Sequence, residues 1–130
     1  MATSATLTLD ASEFTGGSAF SVETTFLQAG TSDDINQFTG LSRREVSAAT
    51  NDISIVAAAD YSGTGGKLYF KNTSTTSAST YILMEVGSNV IIGRLYPGDW
   101  MLIPVDGTEN IKASTSAAGM SYEFGFFHEG

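Results

Sequence analysis

The chain has 130 residues, a length typical of a single domain, and its net charge is −8. Charged residues make up 15% of it, below the ~25% that is usual for globular proteins. Six Lys and Arg residues cannot form the basic face on which nucleic-acid binding depends, and anionic lipid would repel so acidic a chain. The absence of cysteine excludes disulfides, thiolate zinc sites and cysteine nucleophiles. We therefore expect no nucleic-acid partner and no membrane partner.

The N-terminal part gives the weakest pattern. Residues 1–18 favour an extended arm or an edge strand, and residues 19–130 a single β-sandwich domain. Residues 19–27 alternate apolar and polar side chains and predict the first strand of that domain. Residues 31–38 are compatible with a capped helical turn, and residues 41–47 fit either a helix or a strand.

Six later segments have the character of strands. Three of them alternate with period 2, as expected for antiparallel sheets with one buried face: residues 52–59, 110–115 and 120–128. Three are more continuously apolar: residues 67–71, 81–86 and 89–96. Continuous apolar runs suit central strands, or strands that a neighbouring subunit covers.

Turn residues separate these segments. Gly87-Ser88-Asn89 predicts a hairpin, Pro97-Gly98-Asp99 a type II turn, and Asp106-Gly107 a further turn. Strands that recur roughly every 8–12 residues indicate a sandwich or a barrel. The sequence thus predicts an all-β fold, an antiparallel β-sandwich that is jelly-roll-like or immunoglobulin-like, with an extended N-terminal segment.

Each candidate for chemistry lacks a required feature. His128, the single histidine, lies near the chain end and has no acid and serine placed for a triad. Asp33 and Asp34 lack the spacing and the turn glycine of a calcium loop, so we expect them in a helix cap or a solvated loop. Residues 63–67 lack the first glycine of a phosphate loop and the hydroxyl residue after its lysine. We therefore predict no catalytic, cofactor-binding or metal-binding residue and no enzyme activity.

Two other features concern binding and modification. Asn72-Thr73-Ser74 fits a glycosylation sequon, but without a secretory signal the match is expected to be a coincidence. Trp100, with Tyr96 and either Tyr69 or Tyr81, would form an aromatic platform for a sugar or a protein. The alternative is that Trp100 packs over the end of a sheet.

The second half of the chain carries a recognisable arrangement of strands and turns. Its parts are an apolar strand ending in Asn-Thr-Ser, a Tyr-Ile strand, a Leu-x-Pro-Gly-Asp turn, a Pro-bearing strand, an Ile-x-Ala strand and a final Tyr-Glu-Phe-Gly segment. They span residues 67–125 and comprise residues 67–74, 81–87, 95–100, 103–104, 111–113 and 122–125. This arrangement resembles small β-sandwich virion proteins of tailed bacteriophages, among them capsid decoration, or cement, proteins.

The resemblance implies a structural virion protein that forms a homo-oligomer, often a trimer, on the major capsid protein lattice and stabilises the head. It also implies synthesis in the host cytoplasm, which agrees with the absence of a signal peptide pattern and of a membrane span in the sequence. Residues 1–19 would then suit an arm that orders on a neighbouring subunit. A tail, fibre or head–tail connecting subunit is the alternative function. A carbohydrate-binding β-sandwich module is a further alternative.

Overall fold

The computed structural model describes residues 5–9, 20–24, 35, 37–61 and 65–128. Over these ranges the chain forms eleven strands and one helical turn. The elements are β1 (Ala5–Leu9), β2 (Phe20–Thr24), β3 (Gln37–Phe38), β4 (Ser42–Glu45), β5 (Ile53–Val56), α1 (Ala58–Tyr61), β6 (Gly66–Asn72), β7 (Ile82–Val86), β8 (Val90–Leu95), β9 (Trp100–Val105), β10 (Ile111–Thr115) and β11 (Ser121–His128).

Nine of the strands form two antiparallel sheets. The four-stranded sheet has the order β5-β10-β7-β8, and the five-stranded sheet has the order β3-β11-β6-β9, with β4 also paired to β11. From β4 to β11 every connection crosses between the sheets except the β7–β8 hairpin. Eight strands connected in this way make a jelly roll, which confirms the predicted antiparallel β-sandwich and selects the jelly-roll alternative.

The core lies between the two sheets. The five-stranded sheet contributes Leu68, Phe70, Val105, Tyr122 and Phe126, and the four-stranded sheet contributes Val56, Ile82, Met84, Ile111 and Ala113. The rings of Phe70 and Tyr122 stack at 5.3 Å between centroids. Alternate residues of β6 are buried, as the period-2 geometry of a strand requires when one face packs on a core.

The predicted turns are present in the structure. Gly98 has φ +93°, and the Asp99 amide donates a hydrogen bond to the Tyr96 carbonyl at 2.9 Å, as in a type II turn. Gly87 and Asn89, at φ +60° and +64°, connect β7 to β8 in the predicted hairpin. Because glycine and asparagine adopt this backbone region more readily than most residues, the turn residues fix where these strands end.

Some of the predictions for the N-terminal part are confirmed and others are not. Residues 42–45 form a strand, which decides between the two alternatives for residues 41–47. Residues 37–38 form a strand as well, so the helical turn does not extend to Phe38, while Asp33 and Asp34 lie outside the described residues. β2 pairs with β1 in a separate two-stranded sheet and with neither sheet of the sandwich.

Two strand predictions need correction. In residues 52–59 the alternation groups Ile53, Ile55 and Ala57 on one face. Ile53 and Ile55 pack against the core, but the fully buried side chain is Val56, because the pairing of β5 with β10 is shifted next to Ile111 and α1 begins at Ala58. In residues 89–96 the interpretation as a central strand is wrong, because β8 lies at the edge of its sheet. A covering neighbour, the other interpretation of that run, stays a prediction.

Candidate interaction surfaces

The outer surface of the five-stranded sheet carries a row of apolar and aromatic side chains. Lys71 lies opposite Trp100 and Tyr69 opposite Leu102 in the pairing of β6 with β9. These residues alternate with the buried ones, so they point away from the core. We call this surface the aromatic face and define it by Phe38, Tyr69, Trp100, Leu102 and Phe127.

A glycine shapes one end of the aromatic face. The rings of Phe38 and Phe127 stack at 4.3 Å with an interplanar angle of 12°. A Cβ atom on Gly125 would lie 2.4 Å from Cε2 of Phe38, so the Phe38 ring rests directly on the backbone of β11. The missing side chain therefore allows the two rings to lie flat, and Phe38 is still 46% exposed.

A polar network crosses the middle of the same face. The Tyr69 hydroxyl donates a hydrogen bond to Oε1 of Glu123 at 2.8 Å, and Nε of Arg43 donates to Oε2 at 2.9 Å. The hydrogen bond from Tyr69, followed by that from Arg43, lowers the pKa of Glu123. Burial, followed by the hydrogen bond to Glu123, raises the pKa of Tyr69. The network thus holds a negative carboxylate and a neutral phenol in fixed positions.

The charge of this face differs from that of the whole chain. Among the residues that the structure describes, the cations Arg43, Lys67 and Lys71 and the acids Glu45 and Glu123 lie on it. The described part of this face therefore has a formal charge of +1, on a chain whose net charge is −8. A locally basic, aromatic surface on an acidic protein attracts partners that the remaining surface repels.

Trp100 also borders a groove. The side chain is 48% exposed, so it does not pack over a sheet end as one of the two sequence interpretations holds. A groove of about 850 Å³ lies between the β1–β2 hairpin and β9, and its apolar walls include Leu7, Val22, Trp100 and Leu102. The groove borders the aromatic face on the side of β1 and β2, and Glu23 and Asp99 also line it, so the basic character of the face does not continue into the groove.

The predicted aromatic platform is only partly assembled. Tyr69 and Trp100 are diagonal neighbours on adjacent strands, a separation that aromatic side chains bridge. Tyr81 and Tyr96 instead form an edge-to-face pair of their own at 5.9 Å, with the Arg94 guanidinium 4.2 Å above the Tyr81 ring. Two aromatic sites therefore replace the single platform.

A second exposed apolar feature lies on β8. Val90, Ile91 and Ile92 are 61%, 63% and 44% exposed, and we call these three residues the apolar edge. The sequence signal for it was the run of three β-branched residues. The run could not show by itself that the strand is at an edge.

The sequon and the glycine-rich run have structural roles. Asn72 is fully buried, where its Nδ2 donates to the Leu95 carbonyl at 2.8 Å and its Oδ1 accepts from the Ser74 amide at 3.0 Å. A Cβ on Gly65 or Gly66 would collide with a backbone carbonyl oxygen of a neighbouring strand or turn. Asn72 is thus a structural residue, and close packing explains these two glycines.

The surroundings of His128 are aromatic. Its ring lies 5.1 Å from that of Tyr61 and 5.8 Å from that of Phe126. The strand end that carries His128 is paired with Gly66 and Gln37. The histidine therefore extends the aromatic packing at the end of the core, in line with Phe126 as the alternation predicts.

A small polar hollow of about 230 Å³ lies on the outer surface of the four-stranded sheet. The buried Glu85 accepts a hydrogen bond from Ser114 there, and the Lys112 ammonium lies 3.0 Å from Oδ1 of Asn89 and 3.4 Å from Oδ1 of Asp52. Within the described ranges, no three His, Cys, Asp or Glu side chains are grouped as metal ligands. The Lys112 ammonium is therefore the cation that lies among the side-chain oxygens of Asn89 and Asp52.

Comparisons with protein-family models, with curated proteins and with solved structures found no match for this chain. Among the described residues, no helix is long and apolar enough to cross a membrane.

Proposed function

We propose that the chain is a structural virion protein of a tailed bacteriophage, a capsid decoration protein that binds the major capsid protein lattice and stabilises the head. In this proposal it acts as a homo-oligomer in the virion and is not an enzyme. The observation that carries the proposal is the aromatic face, which exposes apolar side chains in a basic setting on an otherwise acidic chain. The resemblance of residues 67–125 to virion proteins and the jelly-roll connectivity, which viral capsid domains also use, support it.

The composition of the aromatic face suits a protein partner. Trp, Tyr and Arg are the residue types that dominate binding energy at protein interfaces, and Trp100, Tyr69 and Arg43 lie there together. Tyr69 and Arg43 are tied to Glu123 before any partner arrives, so ordering them costs little on binding. The expected partner surface is apolar, with a border of carboxylates that Lys67 and Lys71 can approach.

Removal of the protein from the particle tests the stabilising role. We expect purified virions stripped of the chain to release their DNA at a lower temperature than complete virions. Adding back the purified chain should restore the original temperature. Equal heat stability of stripped and complete particles would refute the decoration function.

Copy number separates a decoration protein from the alternative of a tail, fibre or head–tail connecting subunit. A decoration protein follows the capsid lattice, so quantitative mass spectrometry of virions should give a copy number comparable to that of the major capsid protein. A copy number that matches the tail components would support the alternative instead.

A carbohydrate-binding module is the second candidate function, favoured by the diagonal placement of Tyr69 and Trp100 beside Glu123 and Lys71. Aromatic rings stack on the apolar faces of sugars while nearby charged groups bind the hydroxyls. Trp100 is the single tryptophan, so its fluorescence reports directly on this site. Saturable quenching by oligosaccharides of the host surface would support this function, and an unchanged emission spectrum would argue against it.

A further inference from the structure

The described edge strands of the sandwich are β3 and β4 beside β11, and β9, β5 and β8; all but β8 are protected, and β3 is only two residues long. Arg43, Arg44 and Glu45 place charges along β4, and Pro104 offers no N–H to a further strand on β9. β5 runs directly into α1, and its apolar side chains are at least partly covered. These are the devices by which natural sheets avoid pairing with other chains.

On the remaining edge, β8, the one charged residue is Arg94, whose guanidinium lies over the Tyr81 ring, and residues 88–93 contain neither a charge nor a proline. Residues 88–93 are Ser-Asn-Val-Ile-Ile-Gly, and the apolar edge lies at their centre. A bulge interrupts the pairing with β7, because Glu85 lies opposite Ile91 and Met84 opposite Gly93. Bulges often protect an edge, but here the extra residue is Ile92, which adds apolar surface.

Backbone hydrogen bonding gives this edge a preference for another strand. β7 is the one described strand that pairs with β8, so no described strand uses the N–H and C=O groups on the opposite side of β8. A partner strand satisfies these groups and covers the exposed Val90 and Ile91 side chains at the same time. Neither a flat apolar surface nor a small molecule does both.

We propose that β8 pairs edge to edge with β8 of a second copy of this chain. Two copies of a chain with net charge −8 repel each other over most of their surfaces, but residues 88–93 carry no charge. Two identical strands pair antiparallel about a two-fold axis, so each apolar edge contacts its own equivalent. The two four-stranded sheets then form one continuous sheet across the dimer.

This pairing is independent of the proposed function. β8 belongs to the four-stranded sheet and the aromatic face to the five-stranded sheet, so self-association is measurable with the purified chain and no particle. Failure of the pairing leaves the capsid proposal open, and failure of capsid binding leaves the pairing open. The resemblance implies a trimer, whereas pairing of β8 with itself gives a dimer, so the two are distinguishable.

Measurement of mass against concentration tests the pairing. We expect sedimentation equilibrium of the full chain to show a monomer–dimer equilibrium, and Ile91→Lys to raise its dissociation constant by about tenfold or more. Leu41→Lys is the matched control, because Leu41 is 52% exposed and lies away from β8, and it should dimerise as the parent chain does. A monomer at every concentration, a trimer, or a dimer that Ile91→Lys leaves unchanged would overturn the proposal.

Cross-linking provides a second test that does not depend on tolerance of a lysine. The chain has no cysteine, so Ile91→Cys introduces a single thiol next to the expected two-fold axis. Paired strands bring such residues within the Cα separation that a disulfide needs, so mild oxidation should give a covalent dimer. Leu41→Cys should stay monomeric under the same conditions. Equal cross-linking of both variants, or none at Ile91→Cys, would contradict the pairing.

Discussion

The two faces of the five-stranded sheet come from the same strands but differ in almost every property. On the inner face, Leu68 and Phe70 of β6 are fully buried. On the outer face, Lys67, Tyr69 and Lys71 alternate with them, beside the exposed Trp100. The inner face thus holds the sandwich together, whereas the outer face leaves large apolar side chains exposed. Substitutions on the two faces should therefore separate stability from binding.

The largest expected effect is on the inner face. Phe70→Ala removes a fully buried ring that stacks on Tyr122, and we expect a loss of about 3–5 kcal/mol in the free energy of unfolding. Phe38→Ala is the matched control on the outer face, and there we expect a change of about 1 kcal/mol or less, because Phe38 remains half-exposed. Urea denaturation of both variants measures the difference. Similar losses for both would break the distinction between the faces.

The next effect concerns the buried amide at the end of β6. Asn72→Ala leaves the Leu95 carbonyl and the Ser74 amide without their side-chain partner, and we expect a loss of about 1–3 kcal/mol. Asn51→Ala, at an exposed position, should change the free energy of unfolding by about 0.5 kcal/mol or less. Thermal and urea unfolding check both values. A neutral Asn72→Ala would show that these hydrogen bonds do not stabilise the connection between the sheets.

The smallest effect is the pH dependence from the outer face. The folded state lowers the pKa of Glu123 below its ordinary value of 4.5, so the unfolded chain binds the proton more tightly. The stability from Glu123 is therefore complete above pH 4.5 and is lost as the pH falls through the folded pKa. Tyr69→Phe removes the largest cause of the lowered Glu123 pKa and should therefore reduce this acid sensitivity. Melting temperatures measured from about pH 6 down to about pH 2.5 check this. An unchanged pH profile would mean that the Tyr69 hydrogen bond does not hold the carboxylate.

Much of the fold was predictable from the sequence because local chemistry decides it. Alternation in residues 120–128 groups Met120, Tyr122, Phe124 and Phe126 on one face; three of them are buried, and Phe124 is partly buried against the core. Pro97 and Gly98 determined a turn by their backbone preferences alone. The structure therefore follows the pattern closely wherever one strand face is dry and the turn residues are specific.

The features that could not be predicted depend on which strands become neighbours in the folded chain. A run such as Val90–Ile92 has the same pattern in a central strand as in an edge strand, so the position of β8 could not be predicted. The burial of Asn72 depends on the carbonyl of Leu95, which comes from another sheet. Of the aromatic face, the sequence singled out Trp100 and Tyr69, while Phe38 entered through long-range pairing with β11.

The measurement that tests the central claim most directly is the binding of a Trp100→Ala variant to stripped virions. Trp100 lies on the outer face and is half-exposed, so the variant should lose no more than about 1 kcal/mol in the free energy of unfolding. Tyr96→Ala, an exposed aromatic of the separate pair, is the control. We predict that Trp100→Ala binds stripped particles at least about tenfold more weakly than the parent chain, while Tyr96→Ala binds normally. Full binding by a stable Trp100→Ala variant would contradict the assignment of the aromatic face as the surface that meets the capsid.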